Sequence, residues 1–211
     1  MISTSVLLLA LAAWGGTGTA WTSAESKILA AGEWSTPVAD ARGYAVRGRL
    51  VLCTKQVNPD RREVAVYVEL QGAHDFIGND LRLFCDLGRT DFRPEYKGGL
   101  HCTMRDKDGQ EIPATGYPFS GAMPRSQWLT LPVAATLRLR ASPFGIHRPG
   151  ALAISPQANQ LWVINANDPR AYFLSGTFTV DPAQDPSPAR NEHVWRGTLI
   201  LPPARIVNRP Q

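Results

Sequence analysis

The sequence predicts an all-β protein, an antiparallel β-sandwich or barrel, from its residue periodicity and its turn residues. From Tyr44 onward, apolar and polar side chains alternate with a period of two, which is typical of strands that bury one face. The chain also holds 18 glycines and 17 prolines, which divide the alternating runs into short segments. No heptad repeat and no long amphipathic helix accompanies them, so the pattern favours many short strands joined by turns.

The first clear strands lie on either side of a turn at residues 58–60. Before the turn, the apolar side chains between Val46 and Leu52 alternate with a second set of residues, the first two of which are Arg47 and Arg49. After it, apolar side chains from Val64 to Leu70 alternate with a more polar set. Turns rich in Pro, Gly, Asp and Ser separate the later runs. The predicted strands span residues 46–53, 64–70, 81–87, 99–105, 127–131, 136–141, 151–154, 160–164, 172–180 and 194–201.

The first twenty residues have the layout of a secretory signal peptide. They carry no charged side chain, they include a short apolar run from Val6 to Trp14, and the small residues Gly18 and Ala20 precede a cleavage site. The run is much shorter than the roughly 20 residues that a transmembrane helix needs. We therefore expect export to the periplasm or the extracellular space, with no transmembrane segment after cleavage. The alternative is an uncleaved anchor, because no Lys or Arg precedes the apolar run.

The rest of the chain is long enough for one large β-domain. We predict an irregular N-terminal segment at residues 21–43, in which residues 24–31 have the pattern of one or two helical turns. The sandwich domain then spans residues 44–203, and residues 204–211 form a C-terminal tail.

Three cysteines lie after the predicted cleavage site, so an oxidising compartment should pair two of them and leave one. Alternation places Cys85 on the face of Leu83 and Cys102 on the face of Leu100, whereas Cys53 lies on the arginine-bearing side of its strand. We therefore expect a Cys85–Cys102 disulfide and an unpaired Cys53 thiol on a polar face. That thiol is either a small, half-buried apolar residue or a point of covalent linkage to a partner or a second copy.

The C-terminal third of the chain carries a family resemblance. Tyr172 lies near the start of a strand, four residues after Asp168, and a further strand follows at residues 194–201. This arrangement resembles the last two strands of an immunoglobulin-like sandwich, in which a tyrosine corner bonds its hydroxyl back to the preceding loop. The resemblance implies that these two strands pair. The chain departs from the family at Arg170, where a small residue is usual, and at Leu174, where antibody domains have a cysteine.

Secreted immunoglobulin-like domains include protease inhibitors of the chagasin and BsuPI types, which act through loops at one end of the sandwich. Two segments here are similar to chagasin loop motifs, residues 115–117 and Arg148 with Pro149. The first lacks the Asn-Pro that precedes it in that family, and Gly150 stands where an aromatic residue is expected. The resemblance therefore implies a protease inhibitor as one alternative function.

The charge pattern argues against nucleic-acid binding. The net charge is +4, from 22 Lys and Arg against 18 Asp and Glu, and only four of the basic residues are lysine. Basic residues are scattered among acidic ones, without the concentrated stripe that a nucleic acid needs. The pairs Arg47 with Arg49 and Arg138 with Arg140 have the pattern of solvated strand faces.

The sequence holds no recognisable catalytic or metal-binding motif. The four histidines have no zinc spacing with another His or a Cys, and no Gly-x-Ser-x-Gly elbow is present. The acidic residues between 106 and 111 surround an Asp-Gly turn and lack the spacing of a calcium-binding loop. We therefore predict no enzyme, no metal and no cofactor. A hydrolase or metal site remains an alternative if His74, Asp75 and Cys53 meet in a cleft.

The function that remains is a non-catalytic binding or envelope-assembly module that recognises a protein partner through sandwich-end loops. These loops span residues 58–62, 72–80, 89–98 and 113–125. Because the last is long and rich in aromatic residues, we expect Tyr117, Phe119 and Arg125, with Trp128 just after it, to bind the partner. The alternative is a carbohydrate-binding module that stacks sugars of a polysaccharide on exposed aromatic rings. Trp162 is instead the best candidate for a buried anchor.

Overall fold

The computed structural model describes residues 27–58, 61–73, 80–85, 99–115, 127–141, 150–157, 160–165, 167–180 and 193–207. Over these ranges the chain is all-β, with antiparallel pairing in every sheet and no helix, which confirms the predicted fold class at that level. The strands of the described ranges are β1 Lys27–Ala31, β2 Val38–Ala39, β3 Ala45–Asn58, β4 Arg61–Gly72, β5 Leu81–Cys85, β6 Gly99–Asp106, β7 Glu111–Ile112, β8 Gln127–Leu131, β9 Thr136–Arg140, β10 Ala151–Gln157, β11 Gln160–Asn165, β12 Ala171–Val180 and β13 Gly197–Val207.

The first sheet has the strand order β1-β3-β4-β9, and β2 pairs with the start of β3. The long hairpin of β3 and β4 forms its centre, with Leu50 opposite Val68 and Arg49 opposite Glu69. Strand β9 pairs with the other edge of β4, so that Arg138 also lies opposite Glu69. The register therefore places two arginines in one cross-strand row on either side of a glutamate.

The second sheet has the strand order β13-β12-β6-β7. Its two longest strands, β12 and β13, pair with each other, the pairing that the resemblance implies. The hydroxyl of Tyr172 donates a hydrogen bond of 2.6 Å to Oδ2 of Asp168, which confirms that it bonds back to the preceding loop. Two further antiparallel pairs, β10 with β11 and β5 with β8, lie beside these sheets.

One apolar core joins the sheets. Inward-facing residues of the first sheet, such as Leu50 and Val68, are fully buried together with Leu199 and Leu201 of the second. The two sheets approach closely at Gly48, where an added Cβ would lie 3.0 Å from a methyl carbon of each of these two leucines. A glycine in this strand is therefore explained by the packing of β3 against β13.

Two tryptophans buried in this core donate hydrogen bonds to short strands at its edge. Trp195 is fully buried, and its Nε1 donates to the carbonyl oxygen of Val38 in β2 at 3.0 Å. Trp162 is 3% exposed and donates to the carbonyl oxygen of Ile112 in β7 at 2.8 Å, which confirms that it is a buried anchor. Each indole buries its apolar rings and still satisfies its polar N–H group.

Two segments near the ends of the described chain differ in secondary structure from the prediction. The expected helical turns are wrong for Lys27–Ala31, which form β1, because pairing with β3 outweighs the weak helical preference of these residues. Strand β13 continues to Val207, whereas the predicted last strand ends at residue 201. Pro202 and Pro203 lie where the register between β12 and β13 shifts, and such an irregularity tolerates their missing N–H groups. The predicted signal peptide lies outside the described residues.

The cysteines do not pair as expected. Cys102 carries a free thiol in the core, so the structure gives no support to the Cys85–Cys102 disulfide. Cys102 lies on β6, which pairs with β12 and β7, whereas Cys85 belongs to the β5–β8 pair. Alternation identifies the buried face of each strand but not which strands are neighbours. Cys53 is free, as predicted, but it is 1% exposed rather than placed on a polar surface.

Candidate functional site

The outward face of β3, β4 and β9 carries a group of charged and aromatic side chains. Because Val46 and Leu50 point into the core, alternation directs Arg47 and Arg49 to the opposite side of the sheet. Cross-strand pairing then aligns them with the outward residues of β4 and β9. We call this group the arginine surface, and it consists of Trp34, Arg47, Arg49, Tyr67, Glu69, Gln71, Arg138 and Arg140.

Glu69 is the centre of the arginine surface. Its Oε2 accepts a hydrogen bond of 2.7 Å from Nε of Arg49. Its Oε1 accepts two hydrogen bonds from Arg138, 2.7 Å from Nε and 2.5 Å from Nη2. The glutamate side chain is only 4% exposed, so both ion pairs are shielded from solvent on the carboxylate side. Charge-assisted hydrogen bonds of this kind fix the two guanidinium groups in position.

Trp34 lies against the same two arginines of β3. The guanidinium carbon of Arg47 lies 5.2 Å from the centroid of the indole ring, and that of Arg49 lies 4.7 Å from it. Both distances are within the range of cation–π attraction. Arg47 also donates two hydrogen bonds, of 3.0 and 2.6 Å, to Oε1 of Gln71. A neutral amide and an aromatic ring, rather than a carboxylate, therefore hold Arg47.

Two groups beside the guanidinium groups of the arginine surface, the Tyr67 phenol and the Cys53 thiol, have raised pKa values. Burial raises the pKa of the Tyr67 phenol, and the charge of Arg140 offsets only part of that effect. Burial also raises the pKa of the Cys53 thiol, against the opposing charge of Arg138. Since a neutral, buried thiol is a poor nucleophile, Cys53 fits the interpretation of a packed apolar residue better than that of a covalent link.

The arginine surface keeps hydrogen-bond donors that no described residue uses. Arg49 uses only its Nε, while Arg47 and Arg138 each use Nε and one terminal nitrogen. The side chains of Arg49 and Arg138 are 29% and 27% exposed, so a ligand can reach these groups. Arg47, Arg49 and Arg138 face one glutamate here, which gives these four side chains a net charge of +2. The arrangement can therefore bind an anion through preformed guanidinium groups.

The binding residues predicted from sequence do not belong to this surface. Tyr117, Phe119 and Arg125 lie outside the described residues. Trp128 lies on β8, which pairs with β5 rather than with β3, β4 or β9. Its ring is half-buried, and the guanidinium carbon of Arg82 lies 5.1 Å from the ring centroid. An arginine thus covers part of the ring that the carbohydrate hypothesis requires to be open.

From the sequence alone, the arginines of β3 and β9 have the pattern of separate solvated faces, and nothing there indicates a role for Glu69 or Trp34. The local pattern does predict that Arg47 and Arg49 share a face. It does not predict that β9 lies beside β4, because Glu69 and Arg138 are 69 positions apart. One signal in the sequence could have found the site. Glu69 lies in a mostly apolar strand that pairs with the strand of Arg47 and Arg49, so a buried glutamate opposite arginines was to be expected.

No metal site is found in the described ranges, where no group of three His, Cys, Asp or Glu side chains is arranged to hold an ion. His74 and Asp75, the alternative acid–base pair, lie outside the described residues. At the β6–β7 hairpin, Oδ1 of Asp106 accepts hydrogen bonds of 2.9 Å from the backbone N–H groups of Asp108 and Gln110. These bonds explain the acidic residue at that turn without an ion.

In comparisons with known proteins, the chain matches no family model, no curated protein and no solved structure. Among the described residues there is no helix long and apolar enough to cross a membrane.

Proposed function

We propose that this chain is a non-catalytic binding module that recognises a protein partner through the arginine surface. The observation that carries the proposal is the set of unused guanidinium donors on Arg47, Arg49 and Arg138, held beside Trp34. Arginine and tryptophan are the residues most enriched where single side chains dominate binding energy. Because Glu69 holds Arg49 and Arg138, and Gln71 holds Arg47, little conformational entropy is lost when a partner binds.

The proposal includes export and an immunoglobulin-like sandwich. The charge-free N-terminal segment with its short apolar run supports export to the periplasm or the extracellular space. The pairing of β12 with β13 and the hydrogen bond from Tyr172 to Asp168 support the immunoglobulin-like arrangement. The sandwich-end loops predicted to bind a partner lie largely outside the described residues, so the sheet face is the better supported contact surface.

The test is capture of a partner from native envelope extract, with variants that each remove one positive charge. Arg47→Gln changes the arginine surface without breaking an ion pair, because Arg47 donates to the neutral Gln71. Arg105→Gln is the matched control, since Arg105 lies on β6 in the other sheet and is 51% exposed. We expect Arg47→Gln to weaken capture about tenfold, the loss of about 1.4 kcal/mol, and the control to leave it unchanged. Equal capture by both variants would contradict the proposal.

A further inference from the structure

The arginines of this surface are spaced at regular intervals along two strands. Arg47 and Arg49 are two residues apart on β3, and Arg138 and Arg140 are two residues apart on β9. At a rise of about 3.4 Å per residue, outward side chains on one strand are spaced about 7 Å apart. An extended peptide presents alternate side chains on one side at the same interval.

We infer that the arginine surface binds an extended acidic segment of a protein partner, with carboxylates at alternate residues, lying along β3. This inference rests on the proposed function and names its ligand. Two carboxylates at positions i and i+2 can face Arg47 and Arg49 at the same time. Adjacent carboxylates of an extended segment point to opposite sides, so only one of them can pair with the surface.

The chemistry of the surface matches a carboxylate. A guanidinium group presents a planar fork of N–H donors that fits the two oxygens of a carboxylate. Glu69 already shows this match within the chain, because one carboxylate holds both Arg49 and Arg138. The two terminal nitrogens of Arg49 remain for a second carboxylate from a ligand, and Trp34 restricts the motion of that guanidinium group.

Burial sets the length of the segment that this surface can hold. The next outward residue of β3 after Arg49 is Val51, which is fully buried, and Cys53 beyond it is 1% exposed. The accessible arginine row on β3 is therefore two residues long. A segment with two alternate acidic residues is sufficient to fill it, and further acidic residues along the same line meet no arginine of β3.

The experiment compares two peptides of equal composition by fluorescence anisotropy. One has the core Thr-Glu-Thr-Glu-Thr and the other Thr-Glu-Glu-Thr-Thr. We expect the alternating peptide to bind about fivefold more tightly, the effect of one additional exposed ion pair. Arg47→Gln should abolish this preference, and Arg105→Gln should keep it. The binding should also weaken as salt is raised, because the arginines are partly exposed.

Heparin and inorganic phosphate serve as the competing anions. Equal affinity for the two peptides overturns the inference. The inference is also overturned if heparin displaces the alternating peptide at a much lower concentration than the unlabelled peptide does. If inorganic phosphate displaces the alternating peptide at the same concentration as the unlabelled peptide does, the surface binds any anion, and this result overturns the inference as well. If partner capture still depends on Arg47 in these cases, the proposed function stands and only the ligand class is wrong. If capture does not depend on Arg47, the proposed function itself fails.

Discussion

Glu69→Gln should destabilise the fold strongly, although Glu69 lies on the outward face of its sheet. Its side chain is 4% exposed, and its carboxylate accepts three hydrogen bonds from Arg49 and Arg138. A glutamine keeps the shape, but it removes the anion between two guanidinium groups and gives its own N–H groups no acceptor there. Hydrogen bonds to charged groups contribute about 1.5–3 kcal/mol each, and water at the partly exposed arginines replaces part of that loss. We therefore expect the free energy of unfolding to fall by about 2–3 kcal/mol.

Thermal unfolding measures this loss. In a chain of this size about 1 kcal/mol corresponds to about 2–4 °C, so the Tm should fall by about 4–12 °C. Glu111→Gln is the matched control, because Glu111 is 58% exposed and lies 3.4 Å from Arg105. The control should change the Tm by less than about 2 °C, and about 1 M salt should erase its effect but not that of Glu69→Gln. A shift for Glu69→Gln no larger than that of the control would refute the reasoning.

Two further predictions concern the thiols and the hydrogen bond from Tyr172 to Asp168. In a Cys85→Ser variant, Ellman's reagent should modify neither remaining cysteine before unfolding, because both are buried and burial raises their thiol pKa values; a rapidly modified thiol in the native chain would contradict this. Tyr172→Phe removes a donor to Asp168, a carboxyl whose pKa is held well below its usual range by hydrogen bonds from Arg170 and Tyr172. A lowered folded pKa stabilises the fold above the unfolded value of about 4, and this stabilisation is lost as pH falls through the folded pKa. Because Tyr172→Phe leaves the unfolded state unchanged, the loss measured by urea unfolding should be the same from neutral pH down to about 4 and shrink only at lower pH, as the Asp168 carboxyl becomes protonated in the folded state. A loss that already shrinks between about pH 7 and pH 5 would contradict this.

The strands were predictable because their periodicity is local. Residues 127–131 match β8, and residues 160–164 match β11 to within one residue, since apolar side chains must alternate wherever one face is buried. Strand β1 could not be predicted in the same way. Lys27–Ala31 consists mainly of small or aliphatic residues without clear alternation, and pairing with β3 makes it a strand. Its conformation depends on a neighbour that the local pattern does not identify.

The same limit explains the unsupported disulfide and the arginine surface that sequence reasoning missed. Alternation correctly placed Cys102 on a buried face, and it correctly placed Arg49 on the opposite face of its own strand. Whether two such residues meet depends on sheet order, which joins β4 to β9 and separates β5 from β6. Strand order follows from long-range pairing, so Arg138 could be assigned a side of β9 but not a partner.

A variant of Arg47 can separate an effect on binding from an effect on the stability of the fold. Arg49 and Arg138 are explained by the fold, because both neutralise the buried Glu69. Arg47 donates to the neutral amide of Gln71 and contacts Trp34, and no anion among the described residues balances its charge. A neutral side chain could serve the fold at this position, whereas an anionic ligand requires the charge. Arg47→Gln should therefore lower the Tm by less than about 2 °C while it weakens partner capture, the reverse of a purely structural role. If it lowers the Tm as much as Glu69→Gln does, the charge serves the fold and the binding proposal loses its principal support.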